Sequence, residues 1–169
     1  METLIKINKL KVLYGIFFCI IMCSISSWFI VEPKIFIRNV FMREWHIVLI
    51  GVISFLYFAI LLYSFIKIIS KTYGVVVSDE FFIDNSKYES IGKVRWIEVS
   101  KIQRIKKTSL KIYFNKNKIN RSNNNLLKKI LQKMHNWEYK ESIIISSALL
   151  NCDISYLQEM FEKAYKKTP

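Results

Sequence analysis

Two long runs of apolar residues in the first half of the chain contain no Lys, Arg, Asp or Glu. The first covers residues 12–31 and the second covers residues 46–66. An α-helix rises about 1.5 Å per residue, so about 20 residues cross the roughly 30 Å hydrocarbon core of a bilayer. A helix also pairs its own backbone polar groups, which lipid cannot do. The pattern therefore predicts two transmembrane helices that form a hairpin.

The connection between the two runs is short and supplies markers of the membrane boundary. It covers residues 32–45, and Pro33 at its start favours the end of a helix. Trp28 and Trp45 lie near the ends of the runs, and amphipathic rings prefer the level of the lipid headgroups. We therefore expect Trp28 and Trp45 to be interface anchors.

One face of the first predicted helix carries small residues. Gly15, Cys19, Cys23 and Ser27 recur every four residues, a spacing that lets another helix approach closely. The neighbour is either the second predicted helix or, in a homodimer, a second copy of the chain. These four residues are the predicted helix-packing positions.

The chain before the first run resembles the basic start of a signal peptide, because it carries Lys6, Lys9 and Lys11. The apolar run continues to Val31, well past the small residues at 24–26, which favours a retained helix over a cleaved one. A long basic segment follows the second run without an export signal. We therefore expect both termini to lie in the cytoplasm, with the helices in the bacterial inner membrane.

From Tyr73 onward the period of the apolar residues changes to about two, as in β-strands. β-branched and aromatic residues dominate these segments, and Gly, Asp, Asn and Ser separate several of them. The predicted strands cover residues 74–78, 81–83, 94–99, 102–106, 110–114 and 143–145, and residues 90–93 are either a short strand or a bend. They indicate a small antiparallel sheet that is strongly bent or closed into a partial barrel.

Two helices are predicted within or after these strands. Residues 126–134 carry apolar side chains at helical spacing. The final helix has Ser155 as its predicted N-cap, with Gln158 completing a capping box. Its predicted buried face consists of Leu157, Phe161, Ala164 and Tyr165.

The predicted fold is thus an α+β membrane protein, with a membrane hairpin over residues 1–71 and a small antiparallel β domain over residues 72–169. The order of these elements, together with Trp96, Glu98, Val99 and Ile102, resembles uncharacterised bacterial two-transmembrane-helix proteins with a C-terminal pleckstrin-homology-like (PH-like) domain. The resemblance implies a C-terminal helix that closes the sheet. It implies no established activity.

Charge adds a possible contact surface. The chain has 26 Lys and Arg against 13 Asp and Glu, a net charge of +13. No acidic residue occurs between Glu98 and Glu138. A long run of one sign attracts anionic partners, although a solubilising surface has the same composition. The predicted contacts to anionic lipid or to a partner protein are Lys101, Arg104, Lys106, Lys107, Lys111, Lys116, Lys118 and Arg121.

Chemistry-bearing motifs are sparse. Cys152 lies far from the two cysteines of the first run, the only histidines are His46 and His135, and no phosphate-binding loop or nucleophile motif occurs. We expect no catalytic residue, metal or cofactor. Nucleic acid is a less favoured partner, because Tyr113 and Phe114 occupy strand positions rather than an exposed groove.

Three functions remain open on these grounds. The leading one is a non-catalytic inner-membrane protein whose basic domain contacts anionic lipid or a partner protein. The first alternative is an immunity protein that neutralises a membrane-active or periplasm-acting toxin. The second is a scaffold subunit of a membrane complex.

Overall fold

A computed structural model of the protein describes residues 2–37, 43–88, 90, 92–115 and 142–167. The chain forms two compact units, and Leu10–Ile69 make up the helical one. The described residues before Leu10 and after Ile69 make up the other, which contains antiparallel sheets and a C-terminal helix. The predicted α+β layout, with two long apolar helices ahead of a β domain, is confirmed.

The helical unit consists of α1 (Lys9–Val31), a short 3₁₀ turn (Pro33–Phe36) and α2 (Glu44–Ile69). Among the described residues these two helices are long and apolar enough to cross a membrane. Only 11% and 17% of the residues in their most apolar windows are buried, whereas the core helix of a soluble protein is mostly buried. Pro33 begins the 3₁₀ turn just after α1 ends, as its lack of a backbone N–H favours.

Small residues of α1 allow α2 to approach. A methyl group placed on Gly15 would lie 2.8 Å from the ring of Phe65 in α2. Cys19, one helical turn further, is buried, while Cys23 and Ser27 are partly exposed. Within one copy of the chain, α2 is therefore the neighbour of the first half of this face.

The described residues of the β unit form two antiparallel sheets followed by one helix, and the helix predicted over residues 126–134 lies outside them. The first sheet has the order β1 (Thr3–Lys6), β2 (Tyr73–Val77), β3 (Phe81–Asp84) and β4 (Gly92–Arg95). The second has the order β5 (Val99–Lys106), β6 (Ser109–Phe114) and β7 (Ser142–Ser146). The helix α3 covers Ile154–Lys166.

The strand β1 is not among the predicted elements, and residues 2–9 belong to the β unit although they fall within the predicted membrane hairpin over residues 1–71. Ile5 lies opposite Val75 of β2, across the whole helical hairpin. Ile5 and Ile7 are buried, whereas Leu4 and Lys6 are exposed. Apolar and polar residues do alternate in β1, but the strand has only four residues and directly precedes a longer apolar run. The sequence pattern alone therefore gives little indication of a strand here.

Three aromatic rings form the centre of the β unit. The centroids of Phe82, Trp96 and Phe161 lie 5.0 to 5.3 Å apart in pairs, and all three side chains are fully buried. The indole Nε1–H of Trp96 donates to the carbonyl of Ser78 at 2.8 Å. Phe161 comes from α3, so this helix completes the core.

The predicted strand over residues 94–99 is wrong at its centre, because Trp96–Glu98 form a 3₁₀ turn, while Val94 and Arg95 end β4 and Val99 begins β5. The turn follows β4 and precedes β5, where the chain passes from the first sheet to the second. The backbone N–H of Trp96 donates to the carbonyl of Glu80 at 3.1 Å. The bend lets the indole remain in the core while the chain changes sheets.

The predicted N-cap of α3 is also wrong. Asp153 occupies the N-cap position, and Gln158 donates to Glu162 at 2.7 Å instead of completing a capping box. The helix begins at Ile154, one residue before Ser155, and the side chain of Ile154 is buried. The buried face is as predicted except at Tyr165, which is partly exposed.

Candidate functional site

The two places where the chain leaves and re-enters the β unit lie at one end of the first sheet. Because β1 and β2 are antiparallel, the last residue of β1 lies beside the first residue of β2. The backbone N–H of Ile7 donates to the carbonyl of Thr72 at 3.2 Å and continues this pairing. We call the end formed by residues 6–9, residues 70–73 and the loops bonded to them the attachment end.

The loop between β7 and α3 belongs to the attachment end. The N–H of Asn8 donates to the carbonyl of Leu149 at 2.8 Å, and the N–H of Asn151 donates to the carbonyl of Lys6 at 3.0 Å. The side chains of Asn8 and Asn151 are themselves hydrogen-bonded at 3.0 Å. These bonds fix the loop against the last residues before α1.

The turn between β5 and β6 lies at the same end. The N–H of Ser147, in the loop just described, donates to the carbonyl of Thr108 at 2.9 Å, and the hydroxyl of Ser146 donates to the same carbonyl at 3.2 Å. Lys107 precedes Thr108 and is exposed. The second sheet therefore contributes a cationic turn to the attachment end.

The loop after β3 completes this end of the unit. The N–H of Asn85 donates to the carbonyl of Gly74 at 2.7 Å, and the ammonium of Lys71 donates to the carbonyl of Asn85 at 3.4 Å. The ammonium of Lys87 donates to the carbonyl of Ile144 in β7 at 3.2 Å. Lys87 thus links the loop of the first sheet to the edge of the second.

Charge is unevenly distributed between the two ends of the β unit. One exposed acid, Asp153, follows the loop at the attachment end, among the residues the structure describes. The opposite end carries several acids. These are Glu2, Asp79, Glu80 and Glu98, near its turns or strand ends. Cations balance them, since Asp79 pairs with Lys167 and Glu98 pairs with Arg95, and Lys101, Lys163 and Lys166 also lie there. The lysines of the attachment end are Lys6, Lys9, Lys71, Lys87 and Lys107. The attachment end is consequently the more basic of the two.

Asp84 is a buried acid near this end and has a structural role. It accepts hydrogen bonds from the N–H and hydroxyl of Ser86, at 2.9 and 2.7 Å. Burial raises the pKa of the Asp84 carboxyl above its usual range, while Ser86 and the nearby Lys87 and Lys71 oppose the rise. These bonds turn the chain at the end of β3.

The structure separates the lysines and arginines that the sequence grouped together. Lys107 lies at the attachment end, and Lys106 ends β5 just before it. Lys101 lies towards the start of β5, opposite Tyr113, at the other end of that strand. The predicted contacts Lys116, Lys118 and Arg121 lie outside the described residues.

Two further predicted contacts point elsewhere. The guanidinium of Arg104 lies 3.4 Å from the hydroxyl of Ser155 at the start of α3. The ammonium of Lys111, in β6, lies 4.7 Å from the centroid of the Tyr113 ring. Of the predicted contacts that the structure describes, Lys107 and the backbone of Lys106 lie at the attachment end. Lys6, Lys71 and Lys87 lie at the attachment end but are not among the predicted contacts, although two of them flank the apolar runs.

The predicted anchors Trp28 and Trp45 both lie beside the connection between α1 and α2. The indole of Trp28 donates to Glu32 at 3.2 Å and packs edge-on against Phe36. Trp45 stacks on His46 with ring centroids 3.7 Å apart. Both indoles are about half exposed, at 51% and 57%. They mark the end of the hairpin that is remote in sequence from the β unit.

No group of three or more His, Cys, Asp or Glu suited to a metal ion occurs among the described residues. No family model matches the chain, and no curated protein or solved structure matches it significantly. The attachment end is therefore the candidate site on the grounds of its geometry and charge alone.

Proposed function

We propose that the protein is a non-catalytic component of the bacterial inner membrane, whose cytoplasmic domain contacts anionic lipid headgroups. The observation that supports this proposal is the cluster of lysines at the end of the β unit where the chain enters α1 and leaves α2. If both helices span the bilayer, covalent connection holds this end at the headgroup level. The basic residues then face anionic phosphates rather than bulk water.

The pairing of β1 with β2 supports a hairpin that crosses the membrane twice. The two strands lie on either side of the hairpin in sequence and are hydrogen-bonded neighbours. They must therefore occupy the same side of the bilayer, which two crossings allow. Removal of α1 as a signal peptide would also remove β1 and its buried Ile5, leaving β2 as an exposed edge.

Positive charge favours the cytoplasm for this side. The two ends of the hairpin on this side carry Lys6, Lys9, Lys11, Lys67 and Lys71, against Lys34, Arg38 and Arg43 in the connection on the other side. Basic residues close to the ends of transmembrane helices favour the cytoplasmic face. The basic β unit follows them on the same side.

The strand arrangement supports a PH-like domain. A four-stranded and a three-stranded antiparallel sheet are followed directly by one C-terminal helix. In this interpretation the membrane hairpin is an insertion between the first two strands of the domain. The insertion explains why β1 is separated from the rest of the domain in the chain.

The expected strength of the contact follows from the number of cations. Each lysine near an anionic leaflet contributes about 1 kcal/mol, and the effect falls off within a Debye length of about 8 Å at physiological salt. The membrane anchor removes most of the entropic cost of bringing the domain to the surface. A few lysines therefore suffice to set the orientation of the domain.

Site-specific fluorescence in nanodiscs tests this proposal. A dye is attached to Thr108→Cys at the attachment end or to Glu80→Cys at the opposite end, with the native cysteines replaced by Ala. We expect a headgroup-linked quencher to quench the Thr108 dye more strongly when phosphatidylglycerol is present, and salt to reverse the gain. The Glu80 dye is the control. Equal quenching with neutral lipid, or at both positions, would contradict the proposal.

A further inference from the structure

The free edge of β1 forms a groove with the start of α3. Its volume is about 610 Å³, and it is lined by residues 3–6, residues 151–153 and Tyr156. One wall is a strand edge, and the other is the first turn of a helix with the loop before it. This shape accommodates an extended peptide.

The backbone of Leu4 faces the groove. The carbonyl of Lys6 points away from β2, since it accepts the N–H of Asn151 at 3.0 Å. Main-chain groups of alternate residues in a strand point the same way, so the N–H and C=O of Leu4 also point away from β2. Neither has a partner within the part of the chain that the structure describes. The edge offers one donor and one acceptor to an added strand.

The side chains around this edge define the chemistry of the occupant. Leu4 and Tyr156 are large apolar side chains that are 46% and 49% exposed. Two charged side chains line the groove: Lys6 is exposed and makes no ion pair with another described residue, and Asp153 is an exposed acid on the opposite wall. An occupant that places an apolar side chain against Leu4 and Tyr156, and an acidic residue beside Lys6 and away from Asp153, satisfies these features.

We propose that this groove binds, by addition of a β-strand, an extended acidic segment of another membrane protein close to its own transmembrane helix. Lys6 lies three residues before the start of α1, and three extended residues span about 10 Å. The location of the partner thus rests on the membrane placement proposed above. The net charge of +13 disfavours a second copy of this chain and favours an acidic partner.

Cys152, which lines the groove, allows a direct test by disulfide trapping. The full chain is solubilised in detergent with Cys19 and Cys23 replaced by Ala. The probes are cysteine-containing peptides in which a leucine is flanked by glutamates, the same peptide with lysines, and the acidic peptide N-methylated at leucine. We expect the acidic peptide to be captured about tenfold more than either control, since one loses charge complementarity and the other loses a backbone donor.

A matched pair of variants locates the binding on the edge of β1. Leu4→Pro removes an outward N–H that the sheet does not use, whereas Leu4→Thr removes the apolar side chain but keeps this donor. We expect Leu4→Pro to abolish the preference for the acidic peptide and Leu4→Thr to retain part of it. The N-methylated peptide provides the same test if Leu4→Pro fails to fold.

Equal capture of the three peptides would overturn the proposal. So would a dimer of the chain that Leu4→Pro dissociates, because a second copy would then be the occupant. The assay uses no bilayer, so its failure is independent of whether the attachment end contacts anionic lipid.

Discussion

Gly74 lies where the chain re-enters the β unit, and replacing it with Ala should separate β1 from its sheet. A methyl group on Gly74 would overlap the side chain of Leu150 and would lie 3.0 Å from Cγ1 of Ile7. Leu150 and Ile7 are 1% and 4% exposed, so neither has room to move aside. The same pair forms the bridge that joins the β7–α3 loop to the end of β1.

The expected size of the effect follows from overpacking of a closed core. Insertion of a methyl group into a well-packed site costs typically about 1–3 kcal/mol of the free energy of unfolding. For a domain of this size each kcal/mol lowers the melting temperature by about 4–8 °C. We therefore expect Gly74→Ala to lower the melting temperature of the β unit by on the order of 10 °C.

Thermal unfolding of the full chain in nanodiscs measures this shift, and hydrogen exchange reports whether the amide of Ile5 becomes less protected. The matched background is Leu150→Ala, which removes the side chain that the new methyl group would overlap. In that background Gly74→Ala should cost much less, because contacting substitutions are not additive. An unchanged melting temperature, or the same loss in both backgrounds, would refute the steric explanation.

Three further predictions concern single side chains. Burial raises the pKa of Asp84 in the folded state, so the wild type loses stability as pH rises through that pKa. Asp84→Asn has no charge to bury, so the melting temperature of this variant minus that of the wild type should increase from acidic to neutral pH. Gly15→Leu should weaken the packing of α1 on Phe65, measured as increased protease cleavage of the hairpin in detergent. Trp96→Phe leaves the Ser78 carbonyl without its donor and should cost about 1–3 kcal/mol in chemical unfolding.

Much of the chain could be interpreted from local patterns. The uncharged runs predict α1 and α2, since length and lack of charge are properties of a single segment. The alternation of apolar residues predicts β2, β3, β6 and β7 for the same reason. The buried face of α3 follows from its helical spacing.

The candidate site could not be predicted in this way. β1 is a strand only because β2 lies beside it, and the two are separated in sequence by the whole hairpin. The bend at Trp96 depends on a core assembled from β3 and α3. Lys6, Lys71, Lys87 and Lys107 come from four different segments, which hydrogen bonds between residues distant in sequence bring to one end of the β unit.

Two kinds of interaction explain this division. The free energy of transfer into lipid and the spacing of apolar residues along a helix or strand depend on residues close together in sequence. A single segment therefore suffices to predict the element that it forms. Strand pairing and the convergence of charge depend on contacts between segments far apart in sequence, whose register is set when buried faces such as Ile5 and Val75 meet in one core.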